Sequence, residues 1–63
     1  MATNLRKVIE IVEGAGWVYH HTRGSHAHYY HPSKPGVVTV PVSRNKDIKR
    51  GTLNSILRQA RLK

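Results

Sequence analysis

The two ends of the chain carry the same apolar spacing, and this feature constrains the fold more than any other. Aliphatic residues recur at i, i+3, i+4 and i+7, first as Leu5, Val8, Ile9 and Val12 and later as Leu53, Ile56, Leu57 and Ala60. Such spacing is typical of a helix with one apolar face. It predicts two amphipathic helices, over about residues 4–14 and 51–61, and either Thr3 or Asn4 can cap the first of them.

Three runs with the composition of strands lie between the predicted helices. They are WVYHHT from Trp17, SHAHYYH over 25–31 and GVVTVPV over 36–42, and short turns rich in glycine or proline separate them. Successive strands joined by short turns form an antiparallel meander. The predicted order is therefore α-β-β-β-α. Two helices packed on one face of a three-stranded antiparallel sheet give a two-layer α+β sandwich whose other face is open to solvent.

Composition limits what such a sandwich can do. The 63 residues predict a single domain, 1–63, that is too small to enclose a cofactor. The chain has no cysteine, which excludes disulfides and thiolate metal sites. Its net charge of +8 favours a polyanionic partner, with nucleic acid, an anionic membrane surface and an acidic protein as candidates. Because there is neither a membrane-spanning apolar run nor a signal peptide, we expect a soluble cytoplasmic protein.

The segment TRGSHAHYYHP concentrates three histidines and two tyrosines. Side chains of a strand alternate between the two faces of its sheet. This alternation predicts His26, His28 and Tyr30 on the open face. It places Ala27 and Tyr29 on the face toward the helices.

A metal site is one interpretation of the histidine cluster, and the sequence argues against it. No thiolate accompanies the histidines, Asp47 is the only acidic residue beyond residue 13, and a chain of charge +8 repels a divalent cation. We therefore predict no metal ligands and no cofactor. Most of the histidines are better explained as half-exposed strand residues whose rings cover apolar surface, namely His20, His21, His28 and His31.

His26 differs from the other histidines because Gly24 and Ser25 precede it. A glycine lets the backbone approach a ligand closely, and a turn at this point can present N–H groups to a phosphate. Imidazole is also the side chain that most readily takes and gives a proton near neutral pH. Beside a bound RNA strand, His26 could deprotonate a 2′-hydroxyl so that its oxygen attacks the adjacent phosphorus. Four basic residues can supply phosphate contacts, namely Arg23, Lys46, Lys49 and Arg50.

The residues alone leave two functions open. One is a metal-independent ribonuclease, and the other is a non-catalytic RNA-binding module. The order α-β-β-β-α is also that of double-stranded RNA-binding domains, and an open sheet face with aromatic side chains can bind RNA without cleaving it. For the ribonuclease, the second proton-transfer group stays open between water, Tyr30 and a lysine.

Five blocks of the sequence, in this order and at this spacing, resemble the HicA toxins of bacterial and archaeal toxin-antitoxin systems. They cover nearly the whole chain and comprise Gly16-Trp17, Gly24-Ser25-His26, Pro32, VTVP at 38–41 and GTLNSILRQARL at 51–62. The resemblance implies an mRNA interferase, an endoribonuclease that cleaves messenger RNA and arrests translation, with a double-stranded RNA-binding-like fold. It further implies that His26 is the catalytic residue and that a HicB-type antitoxin binds over the active-site surface.

Two positions depart from the family pattern. Relatives often have a second histidine after the Gly-Ser-His motif, where this chain has Ala27, and a histidine common after the VTVP block is replaced by Ser43. If either histidine assists binding or proton transfer in relatives, this chain is the weaker nuclease. The resemblance gives His28 no catalytic role. In the last block, Gly51 and Thr52 are predicted to provide the turn and cap of the second helix.

Overall fold

The structure is a computed structural model that describes residues 2–42 and 47–62. Its elements in chain order are β1 (Ala2–Asn4), α1 (Leu5–Gly14), β2 (Val18–Arg23), β3 (His26–Tyr30), β4 (Val38–Pro41), β5 (Asp47–Lys49) and α2 (Arg50–Gln59). Strands β2, β3 and β4 form a three-stranded antiparallel sheet in that order. The predicted α-β-β-β-α order is confirmed. In addition, a short strand precedes each helix, and these two strands, β1 and β5, pair with each other.

A single apolar core lies between the three-stranded sheet and the two helices. Its buried members are Val8, Val12, Trp17, Ala27, Tyr29, Val38, Val40, Ile48, Ile56 and Ala60. Both helices thus pack on the same face of the sheet, which confirms the two-layer sandwich. The strand alternation is also confirmed, because Ala27 and Tyr29 of β3 and Val38 and Val40 of β4 all point into this core. Burying an aliphatic side chain of this size contributes about 1.5–3 kcal/mol.

Strand β2 contains a bulge that the sequence did not predict. Tyr19 lies opposite Tyr29 and His21 lies opposite His28, so that His20 is an extra residue without its own partner in the ladder. An extra residue reverses the alternation of the side chains that follow it. The bulge therefore turns His21 to the open face, beside His28.

The first helix is capped as predicted, and the second is not. In α1 the side chain of Asn4 caps the helix, because its Oδ1 accepts a hydrogen bond of 2.8 Å from the N–H of Arg6. Helix α2 begins at Arg50 without a side-chain cap, so the predicted cap at Gly51 and Thr52 is wrong and both residues lie within the first turn. Each helix has 10 residues. None in residues 2–42 or 47–62 is long and apolar enough to cross a membrane.

Trp17 ties the end of α2 to the rest of the core. Its side chain is only 1% exposed, and its indole Nε1–H donates a hydrogen bond of 3.2 Å to the carbonyl oxygen of Ala60. A buried indole N–H needs such a partner. The C-terminus of α2 is therefore fixed by one side chain from the segment that follows α1.

His31 fastens the end of α1 to the loop after β3. Its ring meets the ring of Trp17 edge to face, with centroids 5.2 Å apart. Nε2 lies 3.2 Å from the carbonyl oxygen of Ala15, and Nδ1 accepts a hydrogen bond of 3.0 Å from the N–H of Ser33. Gly16, with φ of +96°, passes so close to this ring that a Cβ there would lie 2.7 Å from Nε2. The Gly16-Trp17 block is thus explained by packing.

Candidate active site

The face of the three-stranded sheet that points away from the helices carries a row of polar rings and one guanidinium. We call the set of Arg23, His21, His26, His28 and Tyr30 the histidine face. Arg23 lies directly opposite His26, His21 opposite His28, and the three β3 members occupy alternate positions of one strand. His26 and Tyr30 are exposed and His28 is half-buried. The predicted face for His26, His28 and Tyr30 is confirmed.

A tight turn sets the position of His26. Strand β2 ends at Arg23 and β3 begins at His26, so that only Gly24 and Ser25 connect them. Gly24 has φ of +61°, and a glycine with positive φ at the first turn position is typical of a type II′ hairpin. The N–H of Val42 donates a hydrogen bond of 2.7 Å to the carbonyl oxygen of Ser25 and extends the sheet beside the turn. Four predicted site residues, Arg23 to His26, are therefore brought together.

His26 stands between the two strands that flank it. Arg23 of β2 is its neighbour on one side, and Pro41 of β4 is its neighbour on the other. Directly opposed residues on one face have Cβ atoms about 4.5–5.5 Å apart, so the imidazole and the guanidinium can contact the same small anionic group. This arrangement suits a proton-transfer group beside a bound phosphate.

Three imidazoles are in contact farther along the same face. The rings of His21 and His28 are stacked with centroids 4.7 Å apart and an angle of 7° between their planes. Nδ1 of His20 and Nδ1 of His21 are 2.8 Å apart and share a hydrogen bond, and the His20 ring also meets the Tyr30 ring edge to face. In the described parts of the chain, no group of three or more His, Asp or Glu side chains is arranged to hold a metal ion.

The electrostatics of the cluster favour a neutral His21. The pKa of His21 lies below the ordinary value for histidine, mainly because neighbouring groups partly shield the ring from water. Positive charge on His28, His20 and Arg23 lowers this pKa further. Within the stacked pair, a positive charge on the His28 ring therefore disfavours a charge on the His21 ring.

Two of the other predicted phosphate contacts, Lys49 and Arg50, lie elsewhere in the fold. Lys49 ends β5 and Arg50 begins α2, so both are attached to the β1-β5 pair and not to the sheet that carries His26. Lys46 lies outside the described residues, as does Ser43. Of the four basic residues selected from the sequence, the structure brings Arg23 next to His26.

The departure at Ala27 has a simple structural consequence. Ala27 is 2% exposed and faces the helices, on the side of the sheet opposite to His26. A side chain at this position of β3 points into the core, and so Ala27 removes no group from the histidine face.

His21 is the member of this face that sequence reasoning missed. Regular alternation from Val18 points it toward the helices, and the bulge at His20 reverses that direction. The pair of adjacent histidines carries no signal for a bulge, because bulges depend on how two strands pair.

Comparison with known proteins adds one finding to this geometry. A protein-family model described as the HicA toxin of bacterial toxin-antitoxin systems matches residues 5–62. The match runs from the first residue of α1 to beyond the end of α2, and it includes the whole histidine face. A search of curated proteins finds no match.

Proposed function

We propose, because the chain belongs to the HicA toxin family of bacterial toxin-antitoxin systems, that it is an mRNA interferase. In this proposal the protein is an endoribonuclease that cleaves messenger RNA without a metal ion and thereby arrests translation. The observation that supports it most is the position of His26. This exposed imidazole begins β3 directly after a two-residue turn and has a guanidinium opposite it.

Each residue of the turn has a proposed role toward the RNA backbone. His26 takes the proton of a 2′-hydroxyl, which activates that oxygen for attack on the adjacent phosphorus. Arg23 stabilises the negative charge that develops on the phosphate oxygens. Gly24 and Ser25 let the phosphate approach the backbone and its N–H groups. Phosphates farther along the RNA strand are proposed to be contacted by Lys46, Lys49 and Arg50.

An antitoxin is the partner class that membership of this family implies, and we propose one of the HicB type that covers the histidine face. Val18 and Tyr30 form a cross-strand pair at one end of that face. They are 60% and 42% exposed, respectively. An apolar pair on a face that also carries the guanidinium of Arg23 and several imidazoles suits an acidic partner with an apolar centre. The purified antitoxin should therefore inhibit RNA cleavage.

A non-catalytic RNA-binding module is the second candidate, because the exposed ring of Tyr30 on the histidine face can stack on an RNA base. The two functions separate in one experiment. Purified protein is incubated with single-stranded RNA in excess EDTA, and the products are separated on a denaturing gel. We expect discrete cleavage products. Tight binding without products would identify the binding module, and cleavage only after a divalent metal is restored would refute metal independence.

A further inference from the structure

Another histidine on the same face lies where the reaction needs a second proton-transfer group. We propose that His28 is the general acid that protonates the 5′-oxygen as it leaves phosphorus. This inference rests on the proposed ribonuclease activity, for which His26 is the general base. It assigns a role to a side chain that spacing alone presents as strand surface.

The positions of the two histidines match the geometry of the reaction. His26 and His28 occupy alternate positions of β3 and point to the same face, which separates their Cα atoms by about 6.6 Å. In an in-line displacement, the attacking and leaving oxygens lie on opposite sides of phosphorus. A base and an acid must each come within about 2.6–3.2 Å of one of these oxygens. Two imidazoles on alternate strand positions can flank one phosphate in this way.

The stacked ring of His21 fixes the direction of the His28 ring. The two rings are parallel with centroids 4.7 Å apart, and the His28 side chain is half-buried. The pKa of His21 is lowered, first by shielding from water and then by the charges around it, so that His28 is the ring of this pair that we assign as the acid. Among the described residues, the other titratable or charged side chains on this face are those of His20, His21, Arg23, His26 and Tyr30. On the β4 side, His28 lies opposite Thr39, which is uncharged.

The proposed step conserves atoms and charge. His26 accepts the proton of the 2′-hydroxyl, and O2′ forms a bond to phosphorus. The bond from phosphorus to O5′ breaks with its electron pair on O5′, and His28 donates its proton to that oxygen. The products are a 2′,3′-cyclic phosphate and a 5′-hydroxyl. The step needs no oxidant, reductant or metal.

Substitution of sulfur for the leaving oxygen distinguishes an acid from a base. In a 5′-bridging phosphorothiolate RNA, the leaving group is a thiolate, which departs without protonation because thiols are much stronger acids than alcohols. We expect His28→Gln to slow cleavage of ordinary RNA by about 10²–10⁴-fold, the usual contribution of one proton-transfer group. On the sulfur substrate the same variant should cleave at close to the wild-type rate. His26→Gln should be slow on both substrates.

The pH dependence gives an independent reading of the same roles. The wild-type rate should rise and then fall with pH, because the base must be neutral and the acid protonated. His28→Gln should lose the fall on the alkaline side while keeping the rise on the acid side. A variant that only disturbed the fold would lower the rate at every pH without changing the shape of the profile.

Two control variants guard against indirect effects. His20→Gln removes an exposed histidine of the same cluster and should cleave both substrates at wild-type rates. Tyr30→Phe tests the phenol as the alternative acid, and any change in its cleavage rate should be the same on both substrates. Circular dichroism spectra that match the wild type show that each variant is folded.

Several outcomes overturn the proposal. His28 is not the acid if His28→Gln cleaves ordinary RNA normally, or if it is slowed equally on both substrates. Rescue of His26→Gln by sulfur, in place of His28→Gln, reverses the two roles. If Tyr30→Phe shows the loss and the rescue, the acid is Tyr30. Failure of the wild type to cleave either substrate refutes the proposed ribonuclease itself, and the inference with it.

Discussion

Gly16→Ala should destabilise the fold through two separable effects. The backbone at Gly16 has φ of +96°, and the left-handed region costs a residue with a Cβ about 1–2 kcal/mol. The new Cβ would also lie 2.7 Å from Nε2 of His31 and would push the ring away. The ring would then lose its hydrogen bonds with Ala15 and Ser33, each worth about 0.5–1.5 kcal/mol. The expected total is about 2–5 kcal/mol.

A second substitution separates the two effects. In a His31→Ala background the ring and its hydrogen bonds are already gone, so Gly16→Ala should cost only the backbone part of about 1–2 kcal/mol. The two substitutions should therefore be coupled by about 1–3 kcal/mol, with the double variant more stable than the sum of the single changes implies.

Urea unfolding followed by circular dichroism measures this coupling. Domains of this size have unfolding free energies of only about 3–9 kcal/mol, so all four proteins are compared at one fixed sucrose concentration, which favours the folded state. If the free-energy changes of the two single variants add up to that of the double variant within about 0.3–0.5 kcal/mol, Gly16 and His31 act independently. The packing explanation of the Gly16-Trp17 block would then be wrong.

Three further predictions concern stability, pH and binding. Trp17→Phe leaves the carbonyl of Ala60 without its indole donor and should lower the free energy of unfolding by about 1–3 kcal/mol; an unchanged urea midpoint would refute this. Because the pKa of His21 is lowered in the folded state, the unfolded chain binds more protons in mild acid, and the free energy of unfolding should fall as the pH drops below 6.5. His21→Gln should reduce that fall in thermal unfolding measured between about pH 5 and 7.5, and an unchanged pH dependence would contradict the assignment. Arg23→Gln should weaken single-stranded RNA binding and reduce the slope of log K against log salt by about 0.7, whereas an unchanged slope would exclude a phosphate contact.

The long periodic segments of this fold could be predicted from the sequence. Both helices and all three strands of the main sheet have enough residues to show a period, and a period reports which side chains face the core. The short strands β1 and β5 could not be predicted, because three residues each carry no period. Their pairing also explains the wrong cap at Gly51 and Thr52. Strand β5 leads directly into α2, which therefore begins at Arg50.

The part of the candidate site that depends on β3 alone could be predicted from the sequence. The part that depends on the pairing of β2 with β3 could not. Alternation along β3 places His26 and His28 on one face, and Gly24 indicates the turn that precedes them. The stacking of His21 on His28 depends on a bulge in a neighbouring strand. The role of His31 depends on its contacts with Trp17 and Ala15, which are distant from it in the sequence. Alternation within one strand can be recognised from a short stretch of sequence. Contacts between different strands and helices cannot.

Single-turnover cleavage by the wild type and His26→Ala tests the central claim most directly. Both proteins are used in excess over one single-stranded RNA in EDTA, and the affinity of each for the same RNA is measured in parallel. We predict that His26→Ala keeps the fold and nearly all of its RNA affinity while its cleavage rate falls by at least about 10²-fold. Cleavage by His26→Ala at close to the wild-type rate would contradict the assignment of His26 as the catalytic residue.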